Sequence, residues 1–110
     1  MTRNAIHLGG QLLTVRVVRR NNPKLAGADG AYYHRRATIY IASDQSPTVR
    51  EDTLIHELCH AMNSISGMNR IFSDVPDYEE IEERLVESQA PMLRRLLRDC
   101  GFVFPKGLLK

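Results

Sequence analysis

The run His56-Glu57-Leu58-Cys59-His60 sets two imidazoles four residues apart with a carboxylate beside the first. On a helix, residues four apart stand one above the other, about 6 Å apart along the axis. Two rings placed this way can share one metal ion. Glu57 is rotated about 100° from His56, where its carboxylate can reach a water on that ion. Zinc suits these donors, because it takes imidazole and carboxylate in a tetrahedron and a catalytic site leaves one position for water. The ion brings the water's pKa toward neutrality, and Glu57 is the expected catalytic base that accepts its proton. The competing reading is a helix whose histidines are merely half-buried and hydrogen-bonded.

Two histidines do not complete such a site. His7 and His34 lie upstream, and nothing in their spacing points to the helix. Position 63 is Asn and no histidine follows His60, which excludes the longer H-E-x-x-H-x-x-G-x-x-H pattern. A glutamate from a second helix is the better candidate. Its apolar stripe runs Val86, Ala90, Leu93, Leu97 and Cys100, and one turn further back it reaches Glu83, with Glu79 and Glu82 nearby. A carboxylate in line with a core-facing stripe needs a counter-charge, and a metal supplies one. Glu83 is the expected third ligand, with Glu87 next and Glu79 or Glu80 behind. The rest of this acidic cluster reads as a solvated helix start.

The elements that must position these groups follow from periodicity. Gln11 to Arg20 alternates apolar and polar residues and reads as a strand with one wet face. Residues 21–31, NNPKLAGADGA, form a loop. Tyr32 to Ala42 reads as a second strand, or as two short strands joined within Tyr32–Arg36, with Ile39 and Ile41 on one face and Thr38 and Tyr40 on the other. Ser46 is an N-cap with Pro47 at the first helical position. Val49, Leu54, Ile55, Leu58, Ala61, Met62 and Ile65 then recur at helical spacing, and Gly67 is a natural stop. Residues 67–76 read as a loop. The second long helix begins near Asp77, acidic at its start and basic at its end, which complements the helix dipole. Pro91 is expected to kink or split it, since proline loses the bond to the Glu87 carbonyl. The tail FVFPKGLLK either packs on the sheet or frays.

Composition narrows the class. The 110 residues give room for one domain, 1–110, and 43% hydrophobic with 25% charged residues excludes wholesale disorder. No apolar run is long enough to span a membrane, and the N-terminal MTRNAIHLGG has no sustained apolar core of a secretory signal. A net charge of +2 is too balanced to argue for nucleic acid, and the pairs Arg19-Arg20, Arg35-Arg36 and Arg94-Arg95 are dispersed. Cys59 and Cys100 are too few for a disulfide framework and read as buried apolar residues, which suits a reducing cytoplasm. Tyr32, Tyr33 and Tyr40 are candidates for an oxyanion stabiliser, with strand packing as the plainer role.

With His56-x-x-x-His60 followed by Glu83-x-x-Val86, then Pro91-x-Leu93 and Leu96-Leu97-Arg98-Asp99, the chain resembles the small zincin-like metallopeptidases of phages and prophages. These are minimal gluzincins, with HExxH on one helix and a ligand glutamate on the next. Gly30-x-Tyr32 leading to Ile39-x-Ile41 is similar too, so the likeness covers about residues 30–100. It implies His56, His60 and Glu83 as metal ligands, Glu57 as base, and Glu87 as a supporting acid, although the family more often has Asp there. Where the family usually ends the helix in Arg-Asp-Asn, this chain has Arg98-Asp99-Cys100. The resemblance also implies a strand edge, near Ile39–Ile41, for an extended peptide.

The expectation is therefore an α+β minimal zincin, with a small, mostly antiparallel sheet packed on the HExxH helix and a second long helix closing the far side. Its expected function is zinc-dependent hydrolysis of a peptide or protein substrate in the cytoplasm of a bacterial host, without membrane or nucleic acid. The alternative is a zinc-stabilised phage interaction module with little or no turnover, since so short a chain has little mass for a cleft. Oligomeric state is not legible from the sequence.

Overall fold

The computed structural model describes residues 4–110; Met1 to Arg3, part of the stretch read for a leader, lie outside the described residues. The elements follow in the order β1 (Ala5–Leu8), β2 (Gln11–Val18), a 3-10 turn (Pro23–Leu25), β3 (Gly30–Tyr33), β4 (Thr38–Ala42), α1 (Pro47–Ile65), α2 (Met68–Ile71) and α3 (Tyr78–Asp99). The architecture is α+β, a mostly antiparallel sheet with helices on one side, as expected. The sheet order is β1-β2-β4-β3. β1 pairs antiparallel with β2 and β3 antiparallel with β4, while β2 and β4 run parallel. That one parallel pair arises because the chain leaves β2 for the outer strand β3 and returns between them as β4.

The Tyr32–Ala42 segment is two strands, joined through residues 34–37. β1 is an addition to the sequence reading. Gly9 and Gly10 both take positive φ, 57° and 80°, as a two-residue hairpin turn requires. A second difference concerns the strand edge. β4 carries the Ile39–Ile41 pattern but lies inside the sheet, so the edge beside the helices is β3, not the Ile39–Ile41 strand. All five residues of β4 are buried. Ile39 and Ile41 join Leu13, Val15, Leu54 and Ala61 in the core under α1. Tyr40 and Ala42 face the other way and are covered by Leu25 of the 3-10 turn. A strand wet on one face would alternate; β4 is dry on both.

α1 starts where expected. The Ser46 side chain accepts from the Val49 N–H, and Pro47 occupies the first turn. It ends at Ser66, followed by Gly67 at φ 85°. The stretch after Gly67 is not all loop, because α2 forms one turn there. α3 is a single helix through Pro91, neither split nor interrupted. Glu87 and Pro91 both lie on the exposed face of the helix, the side on which an unpaired carbonyl can be solvated. Val86 and Ala90 are buried against Ile55 and Cys59 of α1, with Leu93 and Leu97 alongside. Cys100 does not join them and is exposed, because the helix ends at Asp99 and the chain turns away. The tail packs rather than frays. Leu108 is buried in the main core, and the Arg50 guanidinium donates to the carbonyls of Leu109, Ser43 and Gln45, at 2.9, 2.5 and 3.1 Å. Among the described residues no helix is long and apolar enough to cross a membrane.

Candidate metal centre

α1 and α3 lie side by side in opposite directions. Glu51 and Asp52 near the start of α1 meet Arg94 late in α3, while His60 and Asn63 late in α1 meet Glu82 early in α3. This pairing brings the acidic start of α3 to the histidines. The Glu83 carboxylate stands 3.0 Å from His56 Nε2 through Oε1 and 2.9 Å from His60 Nε2 through Oε2. The two Nε2 atoms are 3.2 Å apart. Ligand atoms of His56, His60 and Glu83 thus all lie within 4.8 Å of one another.

The donor set fits a tetrahedral cation. With bonds of about 2.0–2.1 Å, neighbouring ligand atoms of a tetrahedral zinc site are separated by about 3.3 Å, close to the observed spacings. Two unprotonated ring nitrogens facing each other at 3.2 Å would only repel, and a carboxylate can neutralise them only through a proton or a cation. A further contact orients His60. Its Nδ1 lies 2.8 Å from both Glu82 oxygens. A carboxylate only accepts, so Nδ1–H donates to Glu82, and with a cation in the cluster the Nε2 lone pair would face that cation. Asn63 Nδ2 in turn donates to Glu82 Oε2 at 2.7 Å. His60 and Glu82 are the sheltered part of the group, with side chains 16% and 12% exposed, whereas that of Glu83 is 45% exposed and opens to solvent.

Glu57 projects toward the sheet side of the cluster and is buried. Burial pushes its carboxyl above the ordinary glutamate range; the nearby histidines pull it down and Glu83 and Glu82 push it up. Its packing explains Gly30. A Cβ at that position would stand 2.6 Å from Thr53 Cγ2, 3.1 Å from the Tyr40 carbonyl and 3.2 Å from Glu57 Cγ. The glycine therefore lets α1 approach β3 closely enough to seat Glu57. Cys59, on the next face, is buried and its thiol is pushed up by the same desolvation.

Glu57 and His60 line two cavities. The larger, about 1040 Å³, runs between α1 and α3 from His56 and Glu83 past Ala90 and Pro91 to Arg94, with Gly30 on its sheet side. Arg94 is fixed in its wall by Glu51 (3.2 Å) and Asp52 (3.0 Å). The smaller, about 360 Å³, is lined by Tyr32, His34, Ser64 and Glu82. His34 Nδ1 is 2.8 Å from Ser64 Oγ and 3.2 Å from the Tyr32 hydroxyl.

Set against the sequence reading, the fold brings His56, Glu57, His60 and Glu83 together. Glu87 lines the cleft without joining the imidazoles. Glu80 pairs with Arg84 on the surface, and Glu79 is exposed. Of the three strand tyrosines, only Tyr32 lies beside the cluster. Tyr33 donates to the Lys24 carbonyl and Tyr40 is buried on the far side of the sheet. The sequence reading missed the bond from Glu82 to His60, the support from Asn63 and the approach of His34. The signal for Asn63 was its place three residues after His60, on the same helix face.

A helix bearing His-Glu-x-x-His, met by a glutamate from the antiparallel helix beside it and backed by a small sheet, defines a small zincin-like domain of the metallopeptidase class. The profile of the IrrE N-terminal-like domain, Peptidase_M78, matches residues 13–93, well over half of the chain, and the chain belongs to that family. No curated protein and no solved structure matches it.

Proposed function

We propose that this is a zinc-dependent metallopeptidase in which His56, His60 and Glu83 hold the ion and Glu57 is the general base. The observation that carries the reading is the convergence of two Nε2 atoms and one carboxylate at the spacing of a tetrahedral site. Zinc held there would polarise the scissile carbonyl and acidify a water. Glu57 takes the water's proton and hands it to the leaving amine; the burial that raises its carboxyl makes it a stronger base than an exposed glutamate. Glu82 keeps His60 in the tautomer that offers Nε2 to the ion. The free edge of β3 reaches the cleft at Gly30, where an extended peptide would gain main-chain bonds.

The cleft also bears on whether the ion is only a staple. At about 1040 Å³ it matches the upper end of ordinary ligand sites, so the short chain does offer room for a substrate, which supports turnover. The unpaired Cys59 and Cys100 suit a reducing, cytoplasmic setting. The test is hydrolysis of a quenched-fluorescent peptide library by the zinc-loaded chain beside Glu57→Gln. The reading expects cleavage by the first, a loss of roughly 10²–10⁴-fold in the second, and equal zinc content in both. Equal cleavage by both would refute the role of Glu57. Zinc bound tightly with no cleavage of any peptide would favour the interaction module.

A further inference from the structure

The exposed apolar side chains are not scattered. Of twelve large hydrophobic residues that are exposed among the described residues, nine fall between Ile71 and Val103, at the end of α2, in the segment that links it to α3, on α3 and at the start of the tail. α3 has two apolar stripes. Val86, Ala90, Leu93 and Leu97 pack on α1. The second stripe, Ile81, Leu85, Met92 and Leu96, lies on the other side of the helix and is left exposed, from 39% at Leu85 to 65% at Met92.

This second stripe has an internal symmetry. Ile81 and Leu96 are equally far from the Ser88–Gln89 bond, and so are Leu85 and Met92. The centre itself, Ser88 and Gln89, is uncharged. The net charge differs in sign at the two ends: Asp77 and Glu80 stand at the start of the helix, the latter paired with Arg84, and Arg95 and Arg98 outnumber Asp99 near its end, all exposed. Apolar knobs sit beyond both ends. Phe72 stacks on Tyr78 at the start of α3, and Phe102 and Val103 are exposed just after its end.

We infer that a second copy of this chain occupies this face, the two α3 helices packing antiparallel about a two-fold axis at Ser88–Gln89. In that register Ile81 meets the partner's Leu96 and Leu85 meets the partner's Met92. The acidic start of each helix lies beside the basic end of the other, and the Phe72 knob lies beside the partner's Phe102–Val103 end. A parallel pair would set acid on acid and base on base. The match is between the face and itself, as an isologous interface requires, which favours a second copy over an unrelated protein. The inference is independent of the metal and of catalysis, since Glu82 and Glu83 leave α3 on its other side.

The test is sedimentation velocity of the full chain over a concentration series, with Leu85→Glu alongside. The wild type should sediment as a dimer that dissociates on dilution. Leu85→Glu, which puts a charge in the seam, should weaken it by at least roughly tenfold, with an unchanged circular dichroism spectrum. As a second measurement, Ser88→Cys in a Cys100→Ser background, treated with a short bis-maleimide, should give a covalent dimer, whereas Thr48→Cys at the exposed start of α1 should not. A wild type that stays monomeric at the highest reachable concentration overturns the inference and leaves the face to a different protein. So does a dimer that Leu85→Glu leaves intact. Should Leu85→Glu misfold, equal cross-linking at positions 88 and 48 overturns it.

Discussion

The two sides of α1 are built from different materials. Toward the sheet, Leu54 and Ala61 are fully buried with Leu13, Val15, Ile39 and Ile41. Toward α3, the same helix packs Ile55 and Cys59 on Val86 and Ala90, but beside them it presents His56 and His60 to Glu82 and Glu83, with Glu57 buried on the sheet side of the cluster and a cavity on either side. Dry packing holds the helix in place without regard to chemistry. The polar side lowers nothing by burial and would be a liability without a cation. The comparison teaches that fold and activity should be separable on one helix, a few ångströms apart.

The sharpest way to break that comparison is a pair of truncations. Leu54→Ala should destabilise the chain by about 2–5 kcal/mol, measured by urea unfolding. His56→Ala should cost the metal-free chain under about 1 kcal/mol, because the ring is partly exposed, yet should abolish zinc binding measured by calorimetry. If His56→Ala unfolds the metal-free protein, the division between the two sides is wrong. Gly30→Ala tests where they join. The new methyl meets Thr53, Tyr40 and Glu57, so it should cost about 1–3 kcal/mol and reduce hydrolysis as well, unlike a purely structural change.

A smaller effect separates the glutamates of α3. Glu82→Ala should weaken zinc about 10–100-fold by releasing the His60 tautomer, while Glu87→Ala should leave affinity nearly unchanged; competition with a chelating dye reads both. The reverse order would move the site one turn along the helix. The smallest expected effect is electrostatic. Burial raises the Glu57 carboxyl, so its ionised form costs more in the folded than in the unfolded chain. That penalty is absent below the ordinary glutamate range and is incurred as pH rises through the raised value. Metal-free Glu57→Gln should therefore melt a few degrees above the wild type at neutral pH, with the gap closing as pH falls toward about 4.5. A gap that is constant with pH would mean Glu57 is not desolvated.

Much of this was legible because it is local. The 3.6-residue recurrence from Val49 to Ile65 gave α1, its Ser46-Pro47 start and the stacked histidines. Extending the Val86–Leu97 stripe by one turn pointed to Glu83. The rest depends on which elements become neighbours. Glu82 is off that stripe, and only the antiparallel pairing with His60 gives it a partner. Gly30 reads as a loop glycine until α1 is laid against it. His34 lies 30 residues from Ser64 along the chain, and no periodicity links them. The edge strand was misassigned because the family likeness put it near Ile39–Ile41, whereas insertion of that strand between β2 and β3 takes it off the edge and buries both its faces. Pro91 leaves α3 whole on its exposed face, where solvent can take the place of the lost bond.

Calorimetric titration of zinc into the metal-free chain tests the central claim most directly, with His60→Ala, Glu83→Ala and Glu57→Gln in parallel. The account predicts one ion per chain in the wild type and in Glu57→Gln, and binding lost in His60→Ala and severely weakened in Glu83→Ala. No binding by the wild type, or binding that survives both ligand substitutions unchanged, would contradict it.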